Sequence, residues 1–242
     1  MKITVCSWEK RNIGDSTLEI QVEAGDTFSE QIIIEAEKDY EYSVIKVPVN
    51  NFDFNLGLTK LGYSIAEMQM SMIVRIKDFP YNHKLIKWVY PHVSFKEAES
   101  SSDIEETLSK IQPGMFSTDR ISLDPHYGEK IGCKRYLYWI QDELIGERSK
   151  LLNIYYKDNN VGFILYRGIG TVRGLLGGIY PKYQNLGLGL LTPSALPLYL
   201  KDSVTTKVLG DISSNNKPVW ELYETFNYKV SNPQYVFIKH IK

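Results

Sequence analysis

The chain has 242 residues, 43% hydrophobic and 24% charged, with a formal net charge of −1. That balance describes an ordinary globular chain and gives no electrostatic case for nucleic acid or an anionic membrane as partner. No stretch approaches the roughly 18 apolar residues of a spanning helix, Met1 to Lys10 does not read as a signal peptide, and two cysteines, Cys6 and Cys133, suit a reducing compartment; a cytoplasmic location is expected.

Strand-like runs lie at Ile3 to Cys6, Leu18 to Val22, Gln31 to Ile34 and Tyr42 to Val47, followed by one short helix and a strand from Gln69 to Ile76. Asp78, Pro80 and Asn82 mark a break, after which Trp88 to Phe95 reads as the first strand of a second domain. Ser102-Asp103-Ile104-Glu105 has the spacing of a capping box, so a helix is predicted from about Asp103 to Ile111, stopped by Pro113-Gly114. Lys130 to Lys150 reads as helix, with Tyr136, Ile140 and Leu144 along one side. Three strands with hairpin turns come next: Leu151 to Tyr156, Val161 to Tyr166 and Thr171 to Tyr180. A glycine-containing turn then opens a helix. A strand at Lys207 to Asp211, a short helix carrying Tyr223, and a last strand from Tyr235 to His240 complete the chain.

Two segments carry chemistry. Tyr183-Gln184-Asn185-Leu186-Gly187-Leu188-Gly189 passes from a strand into a helix through glycines. The first turn of a helix leaves amides unpaired at the positive end of its dipole, which suits a phosphate or pyrophosphate. Gly187 and Gly189 let a ligand approach the backbone. The spacing is neither the dinucleotide fingerprint nor the P-loop. Pro193 and Pro197 lie in the helix that follows, and Pro197 removes an interior hydrogen bond, so that helix is expected to be short or kinked. The second segment is Asn216 to Tyr228. Asn215 or Asn216 can cap a helix, Val219, Leu222 and Phe226 form a buried stripe, and Asn227 can take the left-handed conformation at its end. Tyr223 sits one step round from the stripe, so its hydroxyl need not be sunk in the core.

Q-x-x-G-x-G after a strand resembles the pyrophosphate-binding turn of GCN5-related N-acetyltransferases, and Asn216 to Tyr228 resembles the N-x-x-A-x-x-L-Y-x-x-x-G-F signature of the same superfamily. Asn216, Leu222 and Tyr223 match directly; Asn227 replaces a glycine, a swap the backbone tolerates. The element order from about residue 90 onward is also the acetyltransferase order. The resemblance implies an α+β fold built on a mixed sheet, with a catalytic domain at residues 86–242. It further implies acetyl-coenzyme A as co-substrate; the absence of metal-ligand spacing around either cysteine leads to the expectation of no metal. The cofactor arm would pair with the backbone at Gly178 and Ile179, and a backbone N–H near Ile179 would serve as oxyanion donor. Gln184, Asn185, Leu186, Gly187, Leu188 and Gly189 would hold the pyrophosphate, Asn216 would reach the arm, and Tyr223 would act as general acid toward the sulfur.

A weak internal repeat accompanies these motifs. Shifting the chain so that Tyr63 falls on Tyr228 places Asn51 on Asn216, Leu61 on Phe226 and Gln69 on Gln234. Leu58 then stands where Tyr223 stands, so residues 1–85 read as a partial acetyltransferase-like domain without the reactive phenol. For the acceptor, Arg120, Asp124 and Tyr138, within a stretch rich in aromatics, suit a substrate carrying phosphates, hydroxyls and a base. The R-x-x-x-D-P run with a downstream Y-x-W resembles the TDP-fucosamine acetyltransferase group, which implies a nucleotide-linked amino sugar as acceptor. An acetyltransferase acting on a protein N-terminus or another small amine, and an idle acyl-coenzyme A-binding module, are the other readings; a homodimer is left open. His126 reads as a surface residue rather than a base. His83, His92 and His240 are scattered and suggest neither a metal nor a triad.

Overall fold

The computed structural model, which describes residues 1–241, runs β1 (Lys2–Val5), α1 (Glu9–Asn12), β2 (Thr17–Gln21), α2 (Glu30–Glu37), β3 (Tyr42–Pro48), α3 (Phe52–Lys60), β4 (Ser64–Arg75) and α4 (Lys84–Val89). It continues through β5 (Val93–Glu97), α5 (Ser101–Ser109), α6 (Gly128–Ile145), β6 (Lys150–Tyr156), β7 (Asn159–Arg167), β8 (Thr171–Ile179), α7 (Leu191–Tyr199), β9 (Lys207–Ser213), α8 (Lys217–Thr225) and β10 (Lys229–His240). The strands form one mixed sheet in the order β1-β2-β3-β10-β4-β9-β8-β7-β6-β5. The α+β architecture expected from the sequence is therefore present, as a single sheet.

The repeat is expressed residue for residue. β3, α3 and β4 become β9, α8 and β10 on adding 165 to both ends of each element. Gln69 pairs with its own mate Gln234, and a side-chain amide bond of 3.1 Å joins them, so a pseudo-twofold axis passes between the two. Each half gives its last strand to the other: β10 pairs with β3, and β4 pairs with β9. Matching registers follow, Gln234 to Pro48 against Gln69 to Ser213. The turns before β4 and β10 also match, since Gly62 and Asn227 both take positive φ, 84° and 62°.

Three local expectations are corrected by packing. Gln31 to Ile34 belongs to α2, with Ile33 buried and Ile32 and Ile34 exposed. β2 and β3 are parallel, and a parallel pair needs a crossover that a β-branched run here supplies as helix. Trp88 lies in α4, whose Ile86 and Val89 reach the core; the strand expected from Trp88 begins at Val93 instead. The capping box sits two residues earlier than read: the Ser100 hydroxyl accepts from the Asp103 amide, and the Asp103 carboxylate accepts from the Ser100 amide.

One apolar core fills the space between β4, β7–β9 and the helices α7 and α8, with Met70, Met72, Ile164, Val208, Leu196 and Phe226 among its members. A second lies between β2, β3 and β10 and the helices α2 and α3, around Phe54, Leu58 and Phe237. α7 continues through Pro197 rather than ending there. Proline at 197 has no amide for the carbonyl of Pro193, four residues back, and the buried Tyr228 hydroxyl donates to that carbonyl at 2.8 Å. Tyr228→Phe orphans a buried acceptor and is expected to cost about 1–3 kcal/mol, read as a lowered urea midpoint; an unchanged midpoint would mean that something other than Tyr228 satisfies the carbonyl.

Candidate active site

β8 and β9 run parallel and pair only from Thr171↔Lys207 to Gly174↔Gly210. Beyond that point a register shift against β7 falls at Leu175, between the pairs Leu165↔Leu176 and Tyr166↔Gly174. A bulge bends its strand, and from Leu175 to Ile179 the edge of β8 that faced β9 is unpaired. The result is a V-shaped opening in the sheet with Gly174 and Gly210 at its fork. The equivalent strands of the N-terminal half stay zipped: β2 pairs with β3 from Thr17 to Gln21, and the Val22 amide extends the ladder to the Lys46 carbonyl.

Tyr223 on α8 is aimed at that fork. A methyl group added to Gly210 would stand 2.7 Å from its hydroxyl oxygen, so the phenol rests over a backbone that only glycine leaves bare. Tyr228 props it edge-on, with ring centroids 4.6 Å apart. Burial, and then the charge of Asp211, push the Tyr223 phenol well above its ordinary value, which keeps it protonated. Its mate Leu58 is fully buried. Beside Leu58, a Cβ on Gly57 would lie 2.3 Å from the Phe28 ring, so Phe28 packs directly on the α3 backbone there.

At the open end of the V, Asn185 and Gly187 take positive φ, 65° and 74°, and a single 3-10 turn, Leu188–Leu190, leads into α7. Among the described residues, no carbonyl elsewhere in the chain accepts from the amides of Asn185, Leu186, Gly187, Leu188 or Gly189. Gln184 is spent locally: its side-chain amide donates to the Ile179 carbonyl at 3.4 Å. Gly178 lies beneath the connection between α5 and α6, where a Cβ would meet the Met115 methyl at 2.8 Å. Ile179 is buried five residues beyond Gly174, roughly 16 Å at the rise of a strand. The amide near Ile179 is thus remote along the strand from the fork under Tyr223, whereas the bulge at Leu175 adjoins it.

Asn216 and Asn51 occupy equivalent positions before α8 and α3. The Asn51 side chain caps its helix, accepting from the Phe54 amide, whereas the Asn216 side chain makes no cap bond. Asn51→Ala is expected to cost about 1 kcal/mol of stability, while Asn216→Ala leaves the denaturation midpoint nearly unchanged. The pair of urea curves checks this; equal losses would make Asn216 an ordinary cap.

Arg120 and Asp124 come together as expected, lining a cavity of about 400 Å³ with Gly62, Ala66 and Lys239. Tyr138 is elsewhere, stacked under the Arg11 guanidinium 4.5 Å from its ring centre. The cavity does not adjoin Tyr223. Ala66 is six residues along β4 from Met72, the partner of Gly210, which is roughly 20 Å of strand. Between them one face of the sheet is polar. The Gln234 side chain donates to Gln69 and accepts from Gln21, and Asp211 accepts from Ser71 and Arg173, each at 2.6 Å. This track has no motif in the sequence; only the register of β4, β9 and β10 assembles it.

No protein-family model and no curated protein matches the chain. Solved structures do. A glucosamine N-acetyltransferase region of a fungal multi-domain β-N-acetylglucosaminidase superposes with a TM-score of 0.66 at 11% identity, over 98% of this chain and 31% of that one. A functionally unknown conserved protein from Staphylococcus epidermidis gives 0.63 at 13% identity, over 93% and 84%. A GCN5-related N-acetyltransferase from Sphaerobacter thermophilus gives 0.58 at 14% identity, over 83% and 60%. The chain has the fold of the GCN5-related N-acetyltransferases. Among the described residues no helix is long and apolar enough to cross a membrane.

Proposed function

We propose that the protein is an N-acetyltransferase that moves an acetyl group from acetyl-coenzyme A to a primary amine. The observation that carries this is the opening between β8 and β9 with a protonated phenol at its fork and unengaged amides at its far end. These residues fit the carrier. The amides of Asn185 to Gly189 would take its pyrophosphate, the bare edge of β8 from Leu175 to Ile179 its amide-bearing arm, and the free Asn216 side chain a group along that arm. When bound, the carrier supplies an activated thioester acyl group. The chain holds a proton on the Tyr223 oxygen for the departing sulfur and places backbone N–H groups of the bulge where carbonyl charge develops.

The acceptor proposed is an extended molecule, its amine at the fork and its charged end toward Arg120, with the polar track of Gln69, Ser71 and Asp211 between. A nucleotide-linked amino sugar has this form; a small amine would leave Arg120 unused. Thiol release is the test, measured with acetyl-coenzyme A against amino-sugar nucleotides, free amino sugars, polyamines and peptides. Turnover restricted to amino-sugar nucleotides and weakened by Arg120→Gln is expected. Equal turnover of free amino sugars would remove Arg120 from recognition, and no saturable binding of acetyl-coenzyme A would sink the acyltransferase reading itself.

A further inference from the structure

The three chain segments that meet at the end of β10 bring together residues that the sequence scatters. Asp15 precedes β2, His126 precedes α6, and His240 ends β10. One donor atom from each lies within 4.8 Å of the others. The two imidazoles lie with centroids 4.6 Å apart and planes tilted by 43°, and His126 Nε2 stands 3.6 Å from Asp15 Oδ2. We infer that Asp15, His126 and His240 form a site for a divalent transition-metal ion, Zn²⁺ by the chemistry of the donors.

Three arguments converge on that assignment. Two imidazoles and a carboxylate are a borderline-soft set suited to zinc and unsuited to Mg²⁺ or Ca²⁺, which demand oxygen. Donors at the bond lengths of zinc are separated by roughly 3.4 Å in a tetrahedron, so the three side chains have only about an ångström each to travel. They are free to do so: the side chains of His126 and His240 retain 56% and 32% of their exposure. The third argument is the ring of outer partners. The 94%-buried Asp124 engages His240 Nε2 at 2.8 Å, and the Tyr127 hydroxyl donates to Asp15 at 2.7 Å. A carboxylate orienting a ligating histidine, and a hydrogen bond orienting a ligating carboxylate, are what zinc sites use to fix their ligands. His240 keeps its other ring nitrogen for the ion.

A bound ion would tie the last strand of the C-terminal half to two segments packed on the N-terminal half, reinforcing the strand exchange. His240 and Asp124 also line the cavity beside Arg120, so water would have access to a fourth position on the ion. The site is at the opposite end of β4 from the fork, and its role is structural. The expectation of no metal came from histidines far apart in sequence; folding makes two of them neighbours.

Isothermal titration of the full chain with ZnCl₂, and cobalt spectra in parallel, test this. One Zn²⁺ per chain is expected, with a raised thermal midpoint and a cobalt d–d spectrum of tetrahedral intensity, while Mg²⁺ does neither. His126→Ala, at an exposed position, is expected to abolish binding. Asp124→Asn, which spares every ligand, is expected to weaken it about 10- to 100-fold. Absence of a one-site isotherm in the parent chain, or binding in His126→Ala equal to the parent, overturns the assignment; circular dichroism of each variant separates loss of the site from loss of fold.

Discussion

Tyr223→Phe is expected to lower the turnover of acetyl transfer about 100-fold, the lower end of what a positioned proton donor contributes, while the dissociation constant for acetyl-coenzyme A stays unchanged. The value is placed at that end because a thiolate leaves readily and the acid supplies only part of the acceleration. Affinity is expected to be spared because the proposed carrier site lies elsewhere, at the amides of Asn185 to Gly189 and the bare edge of β8. The variant keeps its ring, and with it the edge-on contact to Tyr228, so stability is also expected to hold. The pH profile of the parent adds an independent check. Burial holds the phenol well above its usual range, so its proton remains through pH 10 and no alkaline decline belongs to Tyr223. Single-turnover rates equal in variant and parent would remove the phenol from the reaction; a weakened carrier with unaltered rate would make it a binding group.

Phe237→Ala is expected to destabilise the whole molecule by about 3–5 kcal/mol, the range for truncating a buried phenylalanine. Phe237 is fully buried in the core of the N-terminal half, yet it belongs to the strand that ends the C-terminal half. Because β10 lies between β3 and β4, and β4 between β10 and β9, neither half owns a complete sheet. Urea unfolding of parent and variant followed by tryptophan fluorescence and far-ultraviolet dichroism is expected to give one coincident transition. Separate transitions, with only the N-terminal half weakened, would show that the exchange does not couple the halves. The boundary expected after residue 85 falls inside α4, where no sheet ends.

Much of the site was readable because its signals are local. The turn from Gln184 to Gly189, the left-handed Asn227 and the tyrosine one step off the α8 stripe each depend on residues within a few positions of one another, and backbone sterics settle them in any context. The repeat was readable for a related reason: a shift of the chain compares two local patterns, and its offset holds at every boundary from β3 to β4.

What the amino-acid order determined by itself is thus the acetyltransferase-like turn, its phenol and the two-fold plan of the chain. Only tertiary structure decided that the second copy opens while the first stays closed, since the bulge at Leu175 is a mismatch between two strands and the pairing of β2 with β3 runs unbroken. It also decided that Pro197 is accommodated, through a hydroxyl 31 residues further on. It turned Gln31 to Ile34 into helix because β2 and β3 are parallel, and it set Arg120 far from Tyr223 while joining His126 to His240. Each of these depends on which strand lies beside which, and that is fixed by burial shared among segments distant in sequence, a quantity no local window contains.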